Sequence, residues 1–430
     1  MTTPYSSIKS IKGGALTNLL VWYDWYIYAA FSIYFSATFF PDGSRTIQLL
    51  QTAGIFALGF LMRPIGGRFL GAFADQFGRR KSMLVAVVLM SLGSLIIAIV
   101  PGYHTIGIWA PILLLFARLL QGLSIGGGTG IVTAYLTEKS PPHRRGFFAS
   151  FQYMTLVGGQ IIALGLLVLL QTFFLTDQQL YEWGWRIPFA IGAVLSIGMF
   201  YLQTHIDETR AFKEVDNLSR GRKRRIISQL IQHPRSILFV VALTMGGTLA
   251  FYTAIVYMQK YLINTGGLSN ADATLITFIG LLIFALMQPL FGALSDRIGR
   301  KPLLLTFGIL GVVTTVPIMT ALSQSDSNWE IFGLLMVYLV ILSAYSSISV
   351  VVKAEIFPVE VRVIGAGLPH AITVALFGGT AEYVALWLKS IGHERLFFWY
   401  ITFIIFISLL AFIFTKDSKI HNKIDDEPFG

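Results

Sequence analysis

The sequence contains no cysteine, which excludes disulfides and thiolate metal sites and removes any reading of redox compartment. Charge is scarce as well. Asp, Glu, Lys and Arg make up 13% of the 430 residues, where a soluble globular chain carries roughly a quarter. A chain so sparing of charge leaves most of its surface unfit for water. The seven histidines are scattered without ligand spacing, so no metal site is expected. No nucleophile–base pair stands out, and neither enzymatic activity nor a cofactor is expected. The glycine run Gly126-Gly127-Gly128-Thr129-Gly130 lacks the Lys-Ser or Lys-Thr pair of a phosphate-binding loop and lies inside an apolar stretch; it reads as close helix packing. No cleavable signal peptide is visible, because the first apolar run, from about Gly13 to Phe40, is too long for a signal h-region and lacks a small-residue cleavage site.

What the sequence has in abundance is apolar length. Hydrophobic residues make up 55% and the mean hydropathy is +0.69. Twelve stretches, at about 15–40, 47–73, 82–101, 107–137, 147–175, 185–204, 236–262, 270–294, 301–322, 329–353, 363–388 and 396–415, reach or exceed the ~20 residues that cross a bilayer core. The expected fold is therefore an all-α membrane protein of twelve transmembrane helices. The net charge of +10 is a topology signal rather than a nucleic-acid footprint. With the N-terminus in the cytoplasm, about 23 of the 32 Lys and Arg fall in the termini and even-numbered loops, about four fall outside and about five within spans, so both termini are expected to be cytoplasmic. The same basic loops attract anionic membrane lipid. A monomer is the expected state.

The longest polar stretch, near the middle, carries Arg220, Arg222, Lys223, Arg224 and Arg225. It divides the chain into an N-terminal six-helix bundle over 1–204, a cytoplasmic linker over 205–235, a C-terminal six-helix bundle over 236–418 and a cytoplasmic tail over 419–430. Features recur across the linker. Gly71, Asp75, Gly78 and Arg79, followed by Arg80, return as Gly292, Asp296, Gly299 and Arg300 at one constant offset. Glu138 and Arg145 return as Glu355 and Arg362, again at one offset. Two homologous halves built as parallel repeats account for this. In such a loop the Asp accepts hydrogen bonds from backbone N–H groups at a helix N-terminus, and the Arg residues pair with carboxylates of neighbouring helices. Asp75, Arg79, Arg80, Glu138, Arg145, Asp296, Arg300, Glu355 and Arg362 are therefore candidates for a cytoplasmic gate.

An ionisable side chain inside a span is costly and marks function. Asp24 lies in the first span with Tyr28 one turn away on the same helix face. Arg63 lies mid-way in the second, Arg118 in the fourth, Lys260 in the seventh with Tyr257 on its face, Lys353 at the inner end of the tenth and Glu382 in the eleventh. Four cations against two carboxylates leave the interior net positive, which suits an anionic substrate, and Arg offers a planar fork matched to carboxylate. Arg118, Lys260, Tyr28, Tyr257 and Arg63 are the candidate substrate contacts; Asp24 and Glu382 are the candidate proton carriers. For Arg118 and Lys260 the plainer alternative is an internal ion pair that only locks helices together, and for Arg63 and Glu382 that structural reading is the stronger one. His370, the one histidine within a span, is a weaker proton-relay candidate.

With these residues in place, the chain resembles the metabolite:proton symporter branch of the major facilitator superfamily from about Asn18 to Tyr400. The motifs are Asp24-Trp25-Tyr26, Met62-Arg63-Pro64-Ile65-Gly66-Gly67, Arg118-Leu119-Leu120-Gln121-Gly122, Trp183-Gly184-Trp185-Arg186-Ile187-Pro188-Phe189 and Lys353-Ala354-Glu355-Ile356-Phe357-Pro358. Three further stretches, FQYMTLVGGQ from Phe151, YMQKYL from Tyr257 and AEYVALWLKSIG from Ala381, are similar to its α-ketoglutarate-transporting members. The resemblance implies a major facilitator fold, rocker-switch alternating access and symport of protons with a dicarboxylate such as α-ketoglutarate, in a bacterial inner membrane. Val21 and Gly128 stand where the family usually has glutamates, which leaves Asp24 as the foremost proton carrier. An anion exchanger or uniporter, and a proline- or betaine-type zwitterion symporter, are the alternatives.

Overall fold

A computed structural model describes residues 4–77, 79–126, 140–204, 234–357 and 359–419. The described residues form helices and no strand. The long ones are α1 (Pro4–Phe39), α2 (Arg45–Phe77), α3 (Arg79–Ile99), α4 (Trp109–Ile125), α5 (Arg145–Leu169), α6 (Arg186–Thr204), α7 (Pro234–Tyr252), α8 (Asn270–Ile298), α9 (Lys301–Leu322), α10 (Asn328–Ser346), α11 (Val359–Thr373) and α12 (Arg395–Phe414). They fall at the twelve expected apolar stretches. Among the described residues nine helical segments are long and apolar enough to cross a membrane, and the apolar parts of α4 and α6 are shorter. The expected continuation of α4 toward residue 137, the linker up to residue 233 and the tail from residue 420 lie outside the described residues.

Local chemistry sets the helix ends. Ser269 caps α8 by accepting a hydrogen bond from the Asp272 backbone N–H, one of the four donors that a helix start leaves without an internal partner. Gly299 ends the same helix at φ +98°, a conformation that a side chain would strain. Pro302 then sits in the first turn of α9, where its missing N–H costs nothing. Among the described residues four stretches are π-helical: Leu170–Phe174, Leu180–Gly184, Thr253–Tyr257 and Val374–Gly378. Five residues of π-helix are invisible in hydropathy, and each re-aims the side chains that follow. Two of them precede Lys260 and Glu382.

The chain divides into two compact units, one of residues 1–127 and 155–220, the other of residues 128–154 and 221–430. In the first, α3 packs against α6 and α4, and α2 against α4. The α2–α4 contact is made backbone to backbone. A Cβ at Gly122 would lie 2.1 Å from the Gly59 carbonyl oxygen, one at Gly66 2.1 Å from that of Leu123, and one at Gly126 2.0 Å from that of Arg63. In a bilayer there is no hydrophobic drive between helices, so such close approach is what holds them together.

In the second unit, α9 packs against α12 and α10, and α7 against α12. Helix α12 shows how the elements meet both lipid and protein. Trp399, Phe403, Phe406, Leu410 and Ile413 are exposed, whereas Ile401, Ile405, Ser408 and Phe412 are buried. Both sets recur every three or four residues, so one stripe faces outward and the other inward. The outward stripe is as apolar as the core, as a lipid-facing surface requires. On the inward stripe, Ser408 donates to the Ala242 carbonyl oxygen at 2.6 Å and accepts from the Gly246 N–H at 3.1 Å.

Candidate functional site

The first unit gathers Asp24, Arg63 and Arg118 around the aromatic side chains of α1 and α2. Asp24 is 1% exposed. Its Oδ1 accepts a hydrogen bond from Ser94 on α3 and its Oδ2 one from Ser196 on α6, each at 3.1 Å. Gly192 of α6 makes the approach possible, because a Cβ there would stand 1.9 Å from Asp24 Oδ1. Ser94 Oγ in turn accepts from Gln121 Nε2 at 2.9 Å, and Gln121 Oε1 accepts from Arg118 Nη1 at 2.7 Å. A continuous chain, Arg118–Gln121–Ser94–Asp24, thus joins the guanidinium of α4 to the carboxylate of α1.

Arg118 is fully buried. Its Cζ lies 4.0 Å from the ring centroid of Trp25, 4.3 Å from that of Tyr28 and 5.0 Å from that of Phe56. Arg63 lies 3.8 Å from the centroid of Phe60 and 4.2 Å from that of Trp25. Aromatic faces attract cations but do not accept hydrogen bonds as a carboxylate does. Among the described residues, Nε and Nη2 of both Arg63 and Arg118 have no hydrogen-bond partner. Tyr28 donates its O–H to the Thr52 carbonyl oxygen at 3.0 Å, so Asp24 and Tyr28, one turn apart, address different neighbours. The hydroxyls of Ser94 and Ser196 and the amide of Gln121 were not among the sequence candidates. The available signal was Gln121 standing three residues after Arg118, a spacing that brings helix side chains together.

In the second unit, Lys260 and Glu382 are brought together. Nζ donates to Oε1 at 2.5 Å, and the two side chains are 0% and 4% exposed. In sequence they stand as separate candidates, one a substrate contact and the other a proton carrier. Tyr257 is buried and packs its ring against Phe397 and Tyr261, at 5.7 and 5.8 Å between centroids. Lys353 Nζ lies 2.9 Å from His370 Nδ1, so the in-span histidine partners an in-span lysine. The Lys260–Glu382 pair carries a direct prediction. Removing one partner leaves a lone buried charge, which typically costs about 3–5 kcal/mol, whereas replacing both with apolar residues of similar volume is near neutral. Lys260→Met or Glu382→Leu alone is expected to lower the thermal midpoint of the solubilised protein, and the double variant to recover most of the loss. A double variant as unstable as the sum of the two singles would show that the pair does not act as a unit.

The second copy of the loop motif makes the contacts its residue types allow. Both oxygens of Asp296 accept from the first turn of α5, from the Gly146 N–H at 2.8 Å and the Phe147 N–H at 2.9 Å. Arg300 Nη1 donates to Asp296 Oδ1 at 2.9 Å and Nη2 to Glu355 Oε1 at 3.2 Å. Ser418, just beyond α12, donates to Glu355 Oε2 at 2.6 Å. Asp417 accepts from the backbone N–H groups of Arg300 and Lys301, both at 3.2 Å, which places a carboxylate on the start of α9. Arg145 is buried at the start of α5. Glu138 and the side chains of Asp75, Arg79, Arg80 and Arg362 lie outside the described residues.

Comparison with known proteins places this chain among transporters. The family model described as "Sugar (and other) transporter" matches residues 13–232, and that described as "Major Facilitator Superfamily" matches residues 248–428. The chain is 50% identical over 409 residues to the alpha-ketoglutarate permease of Escherichia coli (strain K12), covering 94% of this chain and 92% of the relative. It is 33% identical over 397 residues to the citrate-proton symporter of Salmonella typhi, covering 91% of each. Among solved structures, a D-xylose-proton symporter matches with a TM-score of 0.75 at 19% identity, covering 96% of this chain and 98% of that one; at that identity the likeness speaks for the fold alone.

Proposed function

Since the chain belongs to the major facilitator superfamily, and is a transporter rather than an enzyme, we propose that it carries a small dicarboxylate such as α-ketoglutarate, together with protons, across a bacterial inner membrane by alternating access. The observation that carries the anionic substrate is Arg118. A guanidinium wholly removed from water, with two of its three nitrogens unpartnered among the described residues, is costly unless an anion completes it. Its planar donors match a carboxylate, and Trp25, Tyr28 and Phe56 hold it without neutralising it. Arg63 adds a second cation beside Trp25. In the second unit, a substrate carboxylate competes with Glu382 for Lys260, with Tyr257 alongside.

The 50% identity to an alpha-ketoglutarate permease supports this substrate over citrate or a zwitterion. Asp24, at the end of the hydrogen-bonded chain from Arg118, is the proposed proton carrier. Asp296, Arg300 and Glu355, with Arg145, are proposed as the cytoplasmic gate, and the basic loops support a cytoplasmic position for both termini. One observation favours a second reading, an anion exchanger without protons: Val21 and Gly128 take the places of two carboxylates common in this family.

Purified protein in proteoliposomes tests the proposal. Labelled α-ketoglutarate is expected to accumulate under an imposed proton gradient and to leak back when a protonophore dissipates it, with proline and betaine failing to compete. Accumulation that survives the protonophore would favour the exchanger, and displacement by betaine would replace the substrate.

A further inference from the structure

We infer that Gln121 is the switch that couples proton binding at Asp24 to anion binding at Arg118, by turning its side-chain amide; the inference rests on the proton-coupled reading above. Donors and acceptors set the direction of the chain. A guanidinium only donates, so the Gln121 atom facing Arg118 Nη1 at 2.7 Å is Oε1, and the amide nitrogen is left to face Ser94 Oγ at 2.9 Å. An ionised carboxylate only accepts, so the Ser94 hydrogen goes to Asp24 Oδ1 at 3.1 Å. Every hydrogen bond in the chain therefore points from the cation toward the anion. Asp24, Ser94, Arg118 and Gln121 are all buried, where an unmade hydrogen bond is expensive.

A proton taken up from solution on Asp24 Oδ1 reverses the last link. The new O–H donates to Ser94 Oγ, and the Ser94 hydrogen then needs another acceptor. Within the chain only Gln121 can supply one, by rotating its amide so that Oε1 faces Ser94. That rotation turns Nε2 toward Arg118, and two donors meet. Arg118 Nη1 is thereby released from Gln121 Oε1 and becomes available to a substrate carboxylate. In the other direction, a carboxylate that draws Arg118 away frees Gln121 to accept from Ser94 and so favours the protonated carboxyl. By linkage the two effects are equal. The covalent change is a single O–H bond, formed at Asp24 with a proton from solution and broken when the carrier empties and the proton returns to solution.

Among the described residues, few other charged or titratable groups face Asp24. α4 brings Arg118, and α2 brings Arg63 against Trp22 and Trp25. On α1 itself Tyr23 is adjacent, with its O–H turned to the Pro188 carbonyl oxygen at 3.0 Å. α3 and α6 contribute the hydroxyls of Ser94 and Ser196. Gln121 is a positioning residue in this scheme, since it touches neither substrate nor proton.

The test is the pH dependence of binding. Affinity of the purified full-length protein for α-ketoglutarate is titrated across about two pH units in which both ligand carboxylates stay ionised. The wild type is expected to bind about tenfold or more tightly at the acid end. Gln121→Leu removes both amide groups, and Ser94→Ala removes the hydroxyl between amide and carboxylate. In each, the ratio of affinities at the two pH values is expected to fall to about one, whatever happens to the absolute affinity. Ser94→Ala deletes a single oxygen and keeps the test decisive if Gln121→Leu does not fold. If both variants keep the wild-type ratio, Ser94 is turning to its own helix carbonyl, and the switch is overturned while proton coupling stands. If the wild type itself shows no pH dependence, the proton-coupled reading falls and the switch falls with it.

Discussion

Asp24→Asn is expected to abolish proton-driven accumulation of α-ketoglutarate while counterflow exchange persists. The magnitude follows from the membrane potential. Moving one charge against 100 mV costs about 2.3 kcal/mol, so a dianion entering a negative-inside compartment faces about 4.6 kcal/mol. Without compensating protons, the internal concentration is held below the external one by roughly 10³-fold at equilibrium. Asn keeps the size and shape of the side chain, so Gly192 can still approach, but one of the two hydroxyls that now donate to Asp24 would meet an amide N–H instead. Exchange of substrate for substrate moves no net charge and needs no proton, and it separates a lost carrier from a lost fold. The measurement is uptake into proteoliposomes under an imposed pH gradient and potential, set beside counterflow from preloaded vesicles. Accumulation by the variant to the wild-type level would remove Asp24 from the mechanism.

Arg118 carries the second large effect. Truncating one partner of a buried charge-assisted contact typically costs 2–5 kcal/mol, or roughly 30-fold to several thousand-fold in affinity. Arg118→Ala is expected to bind α-ketoglutarate at least about 10²-fold more weakly than the wild type. Arg118→Lys retains the charge but is not a conservative change. A lysine presents a compact ammonium, which cannot hold Gln121 with one nitrogen while offering a planar pair of donors to a carboxylate. Its affinity should lie nearer to that of the alanine variant than to the wild type. Calorimetric titration of the solubilised protein measures this, and a thermal midpoint within a few degrees of wild type shows that the bundle persists. Wild-type affinity in Arg118→Ala would move the anion site elsewhere.

The spans were legible because twelve apolar stretches in 430 residues are more than one water-soluble core could bury. Their extents were less so: α1 starts at Pro4, about eleven residues before the apolar run that announces it, since polar residues can extend a helix beyond the hydrocarbon. The π-helical stretches left no trace at all, because one slipped hydrogen bond does not change which residues are apolar. Charged positions stood out against their apolar surroundings, which is why Asp24, Arg118, Lys260 and Glu382 could be named. Their partners could not. Lys260 and Glu382 are 122 residues apart, and only the packing of the C-terminal helices brings them together. Ser94 and Ser196 resemble the many small polar residues of membrane helices, and nothing in composition separates a serine that holds a carboxylate from one that bonds its own helix. The contacts of Asp296 and Arg300 were the most legible part of the candidate site, because the repeated loop told which groups should meet.

The glycine seam between α2 and α4 constrains what any movement can achieve. At Gly66, Gly122 and Gly126 the two main chains lie so close that no methyl group fits between them, and Arg63 and Arg118 ride one on each side of that seam. Sliding one helix along the other would drive carbonyl oxygens into Cα atoms, so the pair translates and tilts as a single strut. Such packing is expected to hold the spacing between the two guanidinium stems constant while the helices move. If the substrate is a dicarboxylate as proposed, selection by its length is expected to come from side-chain reach, not from a jaw that opens and closes between these two helices.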